Sequence, residues 1–181
     1  RQIHRWTKQY KDSETQMIPE INELIEWLPK NIPSDQETSI VHGDFRLDNM
    51  IFDPITHEVK AILDWELSTL GNPIADFTYH MMSWRLPAGA KGLGMMGSDL
   101  KSLNIPSENE YAELYYKKTG REKIDNWDFY MAYNIFRLAG IAQGIVGRVR
   151  DGTASSSEAK NYEAFVPILG KLGWSIVEGI K

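Results

Sequence analysis

Apolar residues follow several rhythms along this chain, and the changes of rhythm mark its elements. Met17, Ile18, Ile21, Leu24, Ile25 and Leu28 recur at steps of three and four, the spacing that places side chains on one face of an α-helix. Ser13-Glu14-Thr15-Gln16, just before them, has the form of a capping box, in which two side chains satisfy the first free amides of a helix. The spacing therefore predicts an amphipathic helix over 13–28, stopped by Pro29 and Pro33, with a short aromatic segment around Trp6 and Tyr10 ahead of it. From Ser39 the rhythm shortens. Ser39-Ile40-Val41, Asn49-Met50-Ile51-Phe52 and Val59-Lys60-Ala61-Ile62-Leu63 are short β-like runs between turn residues, and Asp53-Pro54-Ile55-Thr56 folds the last two into a hairpin.

Helical spacing returns after Asn72-Pro73 with Ile74, Phe77, Thr78, Met81 and Met82, and Pro87 is the stop. Residues 87–107 are rich in Gly and Met without a clear period and form a long loop, a class of segment that often serves function. A short helix is expected over 108–118, ending near Gly120. The longest begins near Asp125 and buries Trp127, Met131, Asn134, Leu138, Ile141, Ile145 and Val149 until Asp151-Gly152 breaks it. Its small residues Ala139, Gly140, Ala142, Gly144 and Gly147 permit close helix contacts. After a turn at Ser155-Ser156-Ser157, a last helix carries Tyr162, Phe165, Leu169, Leu172, Ile176 and Ile180, with a kink or restart at Pro167. No internal repeat or low-complexity tract interrupts this order.

Composition narrows the function. Twenty basic against twenty-five acidic residues leave a net charge of -5, with no Lys/Arg cluster of the kind a nucleic-acid binder needs, so nucleic acid is not an expected partner. No apolar run approaches the roughly 20 residues that cross a bilayer, which gives a soluble chain with no membrane partner and cytoplasm as its default compartment. The absence of cysteine excludes disulfides, thiolate zinc sites and a Cys nucleophile. The sequence opens at Arg1 without an initiator Met, the form expected of a cut from something longer.

The chemistry gathers in one stretch. Asp44 and Asn49 bracket one loop and Asp64 ends the hairpin, so short strands present two carboxylates and an amide oxygen together. An all-oxygen set suits Mg²⁺ better than zinc, because hard cations prefer oxygen ligands, and Mg²⁺ suggests phosphate. Taken singly, Asp44, Asp48 and Asp53 could be turn residues and Asp76 a helix cap.

Three motifs in order change that balance. His42-Gly43-Asp44-Phe45-Arg46-Leu47-Asp48-Asn49 resembles the H-G-D-x-x-x-x-N catalytic loop of aminoglycoside and choline-type kinases, a relative of the protein-kinase H-R-D loop. Ile62-Leu63-Asp64-Trp65-Glu66 resembles the family's I-D-W-E element, and Gly71-Asn72-Pro73-Ile74-Ala75-Asp76-Phe77 its G-x-P-x-x-D-L segment, with Phe77 in place of Leu. The wording of the first two is especially similar to the kinase-like domains fused to acyl-CoA dehydrogenases. The resemblance implies a mainly helical α+β domain over 1–181, the large C-terminal lobe of a protein-kinase-like fold, with the catalytic loop and hairpin at 39–66. It also implies ATP-dependent transfer of phosphate to a hydroxyl on a small-molecule acceptor.

Carried over by residue, Asp44 accepts or orients the acceptor proton, Arg46 lies near the transferred phosphate, and Asn49 and Asp64 hold the Mg²⁺ ions that bridge the nucleotide phosphates. His42 and Asp76 brace the loop. The phosphate-covering loop, the Lys and its Glu partner that the family carries in an N-terminal nucleotide lobe are not identifiable, so this fragment alone is expected to be inactive and the native chain to supply that lobe. Two other readings compete: a pseudokinase-like binding module without turnover, and a metal-dependent hydrolase using His42, Asp44, Asp64 and Glu66. Gly92-Leu93-Gly94-Met95-Met96-Gly97 matches G-x-G-x-x-G but lacks the preceding strand and following helix that give the motif meaning. We read it as a surface loop, with a lid over the acceptor, contacted by Trp84, Arg85 and Met95, as the functional alternative.

Overall fold

A computed structural model describes residues 1–34, 37–89, 94–153 and 161–180. The chain divides into two compact units, Arg1–Ser34 with Asp128–Lys181, and Asp35–Trp127. The Ser155-Ser156-Ser157 turn and the Gly92-Leu93 part of the glycine run lie outside the described residues.

The first unit is helical: α1 (Gln2–Ser13), α2 (Pro19–Trp27), most of α5 (Trp127–Arg150) and α6 (Phe165–Ile180). The expected helix start at Ser13 is corrected, because the chain is already helical before it. Ser13 closes α1, its hydroxyl donating back to the Gln9 carbonyl (2.7 Å), and Glu14 turns away in an extended conformation. The helix that follows begins at Pro19, whose missing N–H costs nothing at a first helical position. Ile18 before it is extended (φ -118°, ψ 108°), as a residue preceding proline prefers. Ile21, Leu24 and Leu28 form the buried face as expected, whereas Met17, left in the connection, is exposed.

In α5 the structure buries Met131, Asn134 and Leu138 but leaves Ile141, Ile145 and Val149 partly exposed. Ala142, Gln143, Val146 and Gly147 are covered instead, because α1 crosses the small-residue side of the helix. Gln9 Nε2 donates to the Gly140 carbonyl (3.2 Å) and Gln143 Nε2 to the Ser13 carbonyl (2.6 Å). A Cβ on Gly147 would stand 2.7 Å from that of Ser13. Nor does Pro167 kink α6: it sits in the first turn, where amides have no partner within the helix. The buried face of α6 is Phe165, Val166, Leu169, Gly170, Gly173 and Val177, rather than one including Leu172, Ile176 and Ile180. Its glycines let α2 approach; a Cβ on Gly173 would meet Leu24 Cδ1 at 2.9 Å.

The second unit carries two antiparallel ribbons. β1 (Ser39–Val41) pairs with β4 (Thr69–Gly71), and β2 (Met50–Phe52) with β3 (Val59–Ile62). The β2–β3 hairpin turns where the sequence predicts, the Asp53 carboxylate accepting the N–H groups of Ile55 (2.9 Å) and Thr56 (2.8 Å). Those bonds, Thr56 first, hold the Asp53 carboxyl below its ordinary pKa. The strand β4 was not expected. α3 (Pro73–Met81) starts at Asn72, whose side chain accepts the Ile74 N–H (2.8 Å). α4 (Glu108–Thr119) starts at a true capping box of Ser107 and Glu110 and ends on Gly120 at φ 69°. Between these helices the loop is tied down by a Pro87–Met96 bridge and by Trp84 Nε1 donating to the Pro106 carbonyl (2.9 Å). Among the described residues no helix is long and apolar enough to cross a membrane.

Candidate active site

The second unit builds its polar centre on a bend that only glycine fits. Gly43, just after β1, has φ +83°, and a Cβ there would lie 2.6 Å from the Leu67 carbonyl oxygen, a backbone atom that does not swing away. The bend turns two successive amides toward α3. The Asp76 carboxylate accepts both, from His42 N–H (2.7 Å) and Gly43 N–H (2.9 Å). Asp76 is therefore not a helix cap here but a clamp on the loop, with charge-assisted bonds to each amide.

His42 is buried, 3% exposed, and both of its ring nitrogens are used. Nδ1 accepts the Asp44 N–H (3.2 Å), which puts the ring hydrogen on Nε2, and Nε2 donates to the Leu63 carbonyl (2.8 Å). The ring thus ties the Asp44 backbone to the residue that precedes Asp64. Trp65 lies against it, ring centroids 4.7 Å apart, and is fixed by its own Nε1 donating to the Ile62 carbonyl (2.8 Å). With both nitrogens engaged, His42 offers no lone pair to a cation. Of the four residues that a metal-dependent hydrolase reading uses, His42 is thereby withdrawn as a ligand. Among the described residues no three His, Asp or Glu side chains gather as a metal-holding group.

Asn49 joins Asp44 directly. Its Nδ2 donates to the Asp44 carbonyl (2.9 Å) and to Asp44 Oδ2 (3.0 Å), while the Asn49 carbonyl accepts the Leu63 N–H (2.8 Å). The 42–49 loop and the hairpin are therefore linked through Asn49 as well as through His42. Asp64 occupies a left-handed conformation (φ 64°, ψ 51°) at the end of the hairpin, a region that L-residues other than Asn, Asp and Gly avoid. Among the described residues no donor reaches its carboxylate or the Asn49 Oδ1. These oxygens, and those of the partly buried Asp44, are of the kind a hard cation takes.

Arg46 is paired with Asp48 (2.6 Å), and its Nε is buried without an acceptor among the described residues. Arg85, an acceptor contact on the lid reading, is engaged elsewhere: its guanidinium binds the Glu108 carboxylate at both oxygens (2.6–3.0 Å), and Trp127 Nε1 donates to that carboxylate (2.7 Å). A feature missed in the sequence is a run of rings leading away from Asp44. Phe45 meets His80 (5.9 Å), His80 meets Trp84 (5.8 Å), Trp84 stacks on Tyr111 (5.1 Å), and Phe77 stacks on Tyr115 (3.7 Å). Burial among these rings holds the His80 pKa below its ordinary value. The signal available was the aromatic content of 77–84 and 111–116, but only folding brings those segments to Phe45.

Known proteins are similar to this chain in sequence and fold. A 46% identity over 175 residues links the chain to mouse acyl-CoA dehydrogenase family member 10, covering 96% of this chain and 16% of that protein. Human acyl-CoA dehydrogenase family member 11 is 39% identical over 175 residues, covering 96% and 22%. The chain thus spans about a fifth of the length of these curated relatives. A crystal structure from Ralstonia eutropha JMP134, provisionally assigned as an aminoglycoside phosphotransferase, superposes with a TM-score of 0.93 at 49% identity, over 98% of this chain and 54% of that one. The fold is accordingly the mainly helical lobe of a kinase-like protein. The family model described as the phosphotransferase enzyme family matches residues 1–114, which include the Gly43 bend, the Asp44–Asn49 pair, Asp64 and the Asp76 clamp. On that match the chain belongs to the phosphotransferase enzyme family.

Proposed function

We propose that this chain carries the catalytic loop of an ATP-dependent phosphotransferase that phosphorylates a hydroxyl of a small molecule. The observation that carries the reading is the Asn49 bridge: one residue fixes the Asp44 carboxylate with its side-chain amide and, with its backbone carbonyl, the hairpin end that presents Asp64. Asp44 is the group that takes the acceptor's proton as the acceptor oxygen bonds to the terminal phosphorus and the bond to the departing diphosphate breaks. Asn49 and Asp64 are the ligands for Mg²⁺, which when bound would neutralise charge on the phosphates. Arg46, held by Asp48 and with a spare buried Nε–H, is placed by the same reading near the transferred group.

The ribbons supply a second support. Ile40 and Leu70 face each other across β1–β4 at 73% and 70% exposure, and Ile51, Phe52 and Val59 of the hairpin are also exposed. Apolar strand faces of this kind mark an interaction surface. We assign it to a nucleotide-gripping lobe of the native protein, without which this chain turns over little. The acyl-CoA dehydrogenase relatives make a hydroxylated acyl compound, free or as its CoA thioester, the first acceptor to try.

The test is Mg²⁺-dependent ATP consumption by the full-length native protein against hydroxylated acyl-CoAs, amino alcohols, aminoglycosides and sugars. Turnover with one class is expected, falling by roughly 10²–10⁴-fold in Asp44→Ala, the range for loss of a general base. Silence across the panel, together with no nucleotide binding, would replace this reading with a binding module that keeps the fold alone.

A further inference from the structure

The helical unit carries a hollow whose charges are unrelated to the ribbon site. It lies along the α1–α5 crossing, with a volume of about 440 Å³, inside the ~300–1,000 Å³ range of small-ligand pockets. Gly144 and Gly147 line it, and both have a packing reason to be glycine, since a Cβ would meet Gln9 and Ser13 of α1 at 3.3 and 2.7 Å. The surrounding cations have no such reason.

Lys8 pairs with Asp12 (2.5 Å) and Arg150 with Asp151 (2.8 Å), so the acids of the hollow are matched. Arg5 and Arg148 remain, and among the described residues neither has a carboxylate partner. Arg5 lies over the Trp6 ring instead, 5.3 Å from its centroid. Two uncompensated guanidiniums on one concavity reverse the sign of a chain whose net charge is -5. Each presents a planar fork of N–H donors that fits the oxygens of a phosphate.

We propose that this hollow binds a small phosphate-bearing anion, with Arg5 and Arg148 as its charged contacts. Such a ligand offers both guanidiniums charge-assisted hydrogen bonds. The matched pairs Lys8–Asp12 and Arg150–Asp151 border the site and limit it to a compact ligand, since their carboxylates repel a longer polyanion.

Calorimetric titration of the full-length native protein with inorganic pyrophosphate, in the presence of EDTA, tests this. Saturable binding is expected, weakened about tenfold or more by Arg5→Gln and by Arg148→Gln, and unchanged in Asp64→Asn at the ribbon site. Both arginines are exposed, so the variants should keep the wild-type melting temperature. Absence of saturable binding would overturn the proposal. So would equal affinity in the arginine variants, or a changed affinity in Asp64→Asn, which would move the anion to the phosphotransfer site.

Discussion

In the helical unit, large side chains such as Tyr10, Ile21, Leu24, Met131, Phe136 and Leu169 are fully buried, and α1 and α2 pack closely against glycines of α5 and α6. In the ribbon unit, by contrast, Ile40, Ile51, Phe52, Val59, Leu63, Trp65 and Leu70 stand 40–73% exposed. Its strands are three or four residues long. Ribbons that short gain little from apolar burial. What defines their geometry is a set of specific polar bonds: Asp76 to two amides, His42 to Asp44 and Leu63, Asn49 to Asp44. The difference teaches that a phosphotransferase chain can separate mass from precision, with packing giving the scaffold its stability and a few hydrogen bonds giving the site its shape.

Leucine truncation should expose that division most strongly. Leu24 is fully buried, with Gly173 of α6 packed against it, and Leu24→Ala is expected to cost about 2–5 kcal/mol through lost burial and the cavity left behind. Ile40→Ala removes the same number of carbon atoms from a site 73% exposed and should cost no more than about 0.5 kcal/mol. Urea unfolding of both variants measures the gap. Equal losses would mean that the ribbon's apolar face is part of a core after all, and the comparison would fail.

A smaller but more local effect is expected at Asp76. Asp76→Asn keeps one oxygen for two amide donors and turns an NH₂ group toward the other, costing about 1–3 kcal/mol. The sharper readout is amide hydrogen exchange. Protection of His42 and Gly43 should fall while amides of α2 and α5 stay as they were. Uniform loss of protection across both units would show that the clamp supports the whole chain and not the loop.

The same division explains what the sequence could show. Local rhythm located α3, α4, α5 and the β2–β3 hairpin, and local motif singled out Asp44, Asn49 and Asp64 as candidates, because each is encoded within a short window. Non-local partners were invisible. Thr69-Leu70-Gly71 has no strand pattern of its own and becomes β4 only by pairing with residues thirty positions earlier. The buried face of α5 shifted from Ile141 and Ile145 to Ala142 and Val146 because α1 arrives on that side, a fact no single-helix period contains. The start of α2 was legible and misread: Ser13 to Gln16 matched a capping box in letters, but Pro19 sets the start through its fixed φ. Likewise His42 stood out as a polar residue beside Asp44, while its contact with the Leu63 carbonyl required the hairpin to be in place.

Tyr10 offers the finest adjustment, inside the unit where packing dominates. Its hydroxyl is buried with no hydrogen-bond partner among the described residues, and burial, with the nearby charge of Glu14, pushes its pKa up to about 12. In the unfolded chain a tyrosine titrates near about 10. Between those values the folded state keeps a proton that the unfolded state has lost, so the contribution is fully present below pH 10 and falls away as pH rises through 12. Tyr10→Phe removes the unpaired hydroxyl along with this slope. At pH 8 it should match or exceed the wild type by up to about 1 kcal/mol, and above pH 10 the margin should widen by about 1 kcal/mol per pH unit. Denaturation at pH 8 and pH 11 decides the matter. A destabilised variant, or a constant margin, would mean that the hydroxyl has a partner in solution and that even the packed unit relies on a specific polar bond.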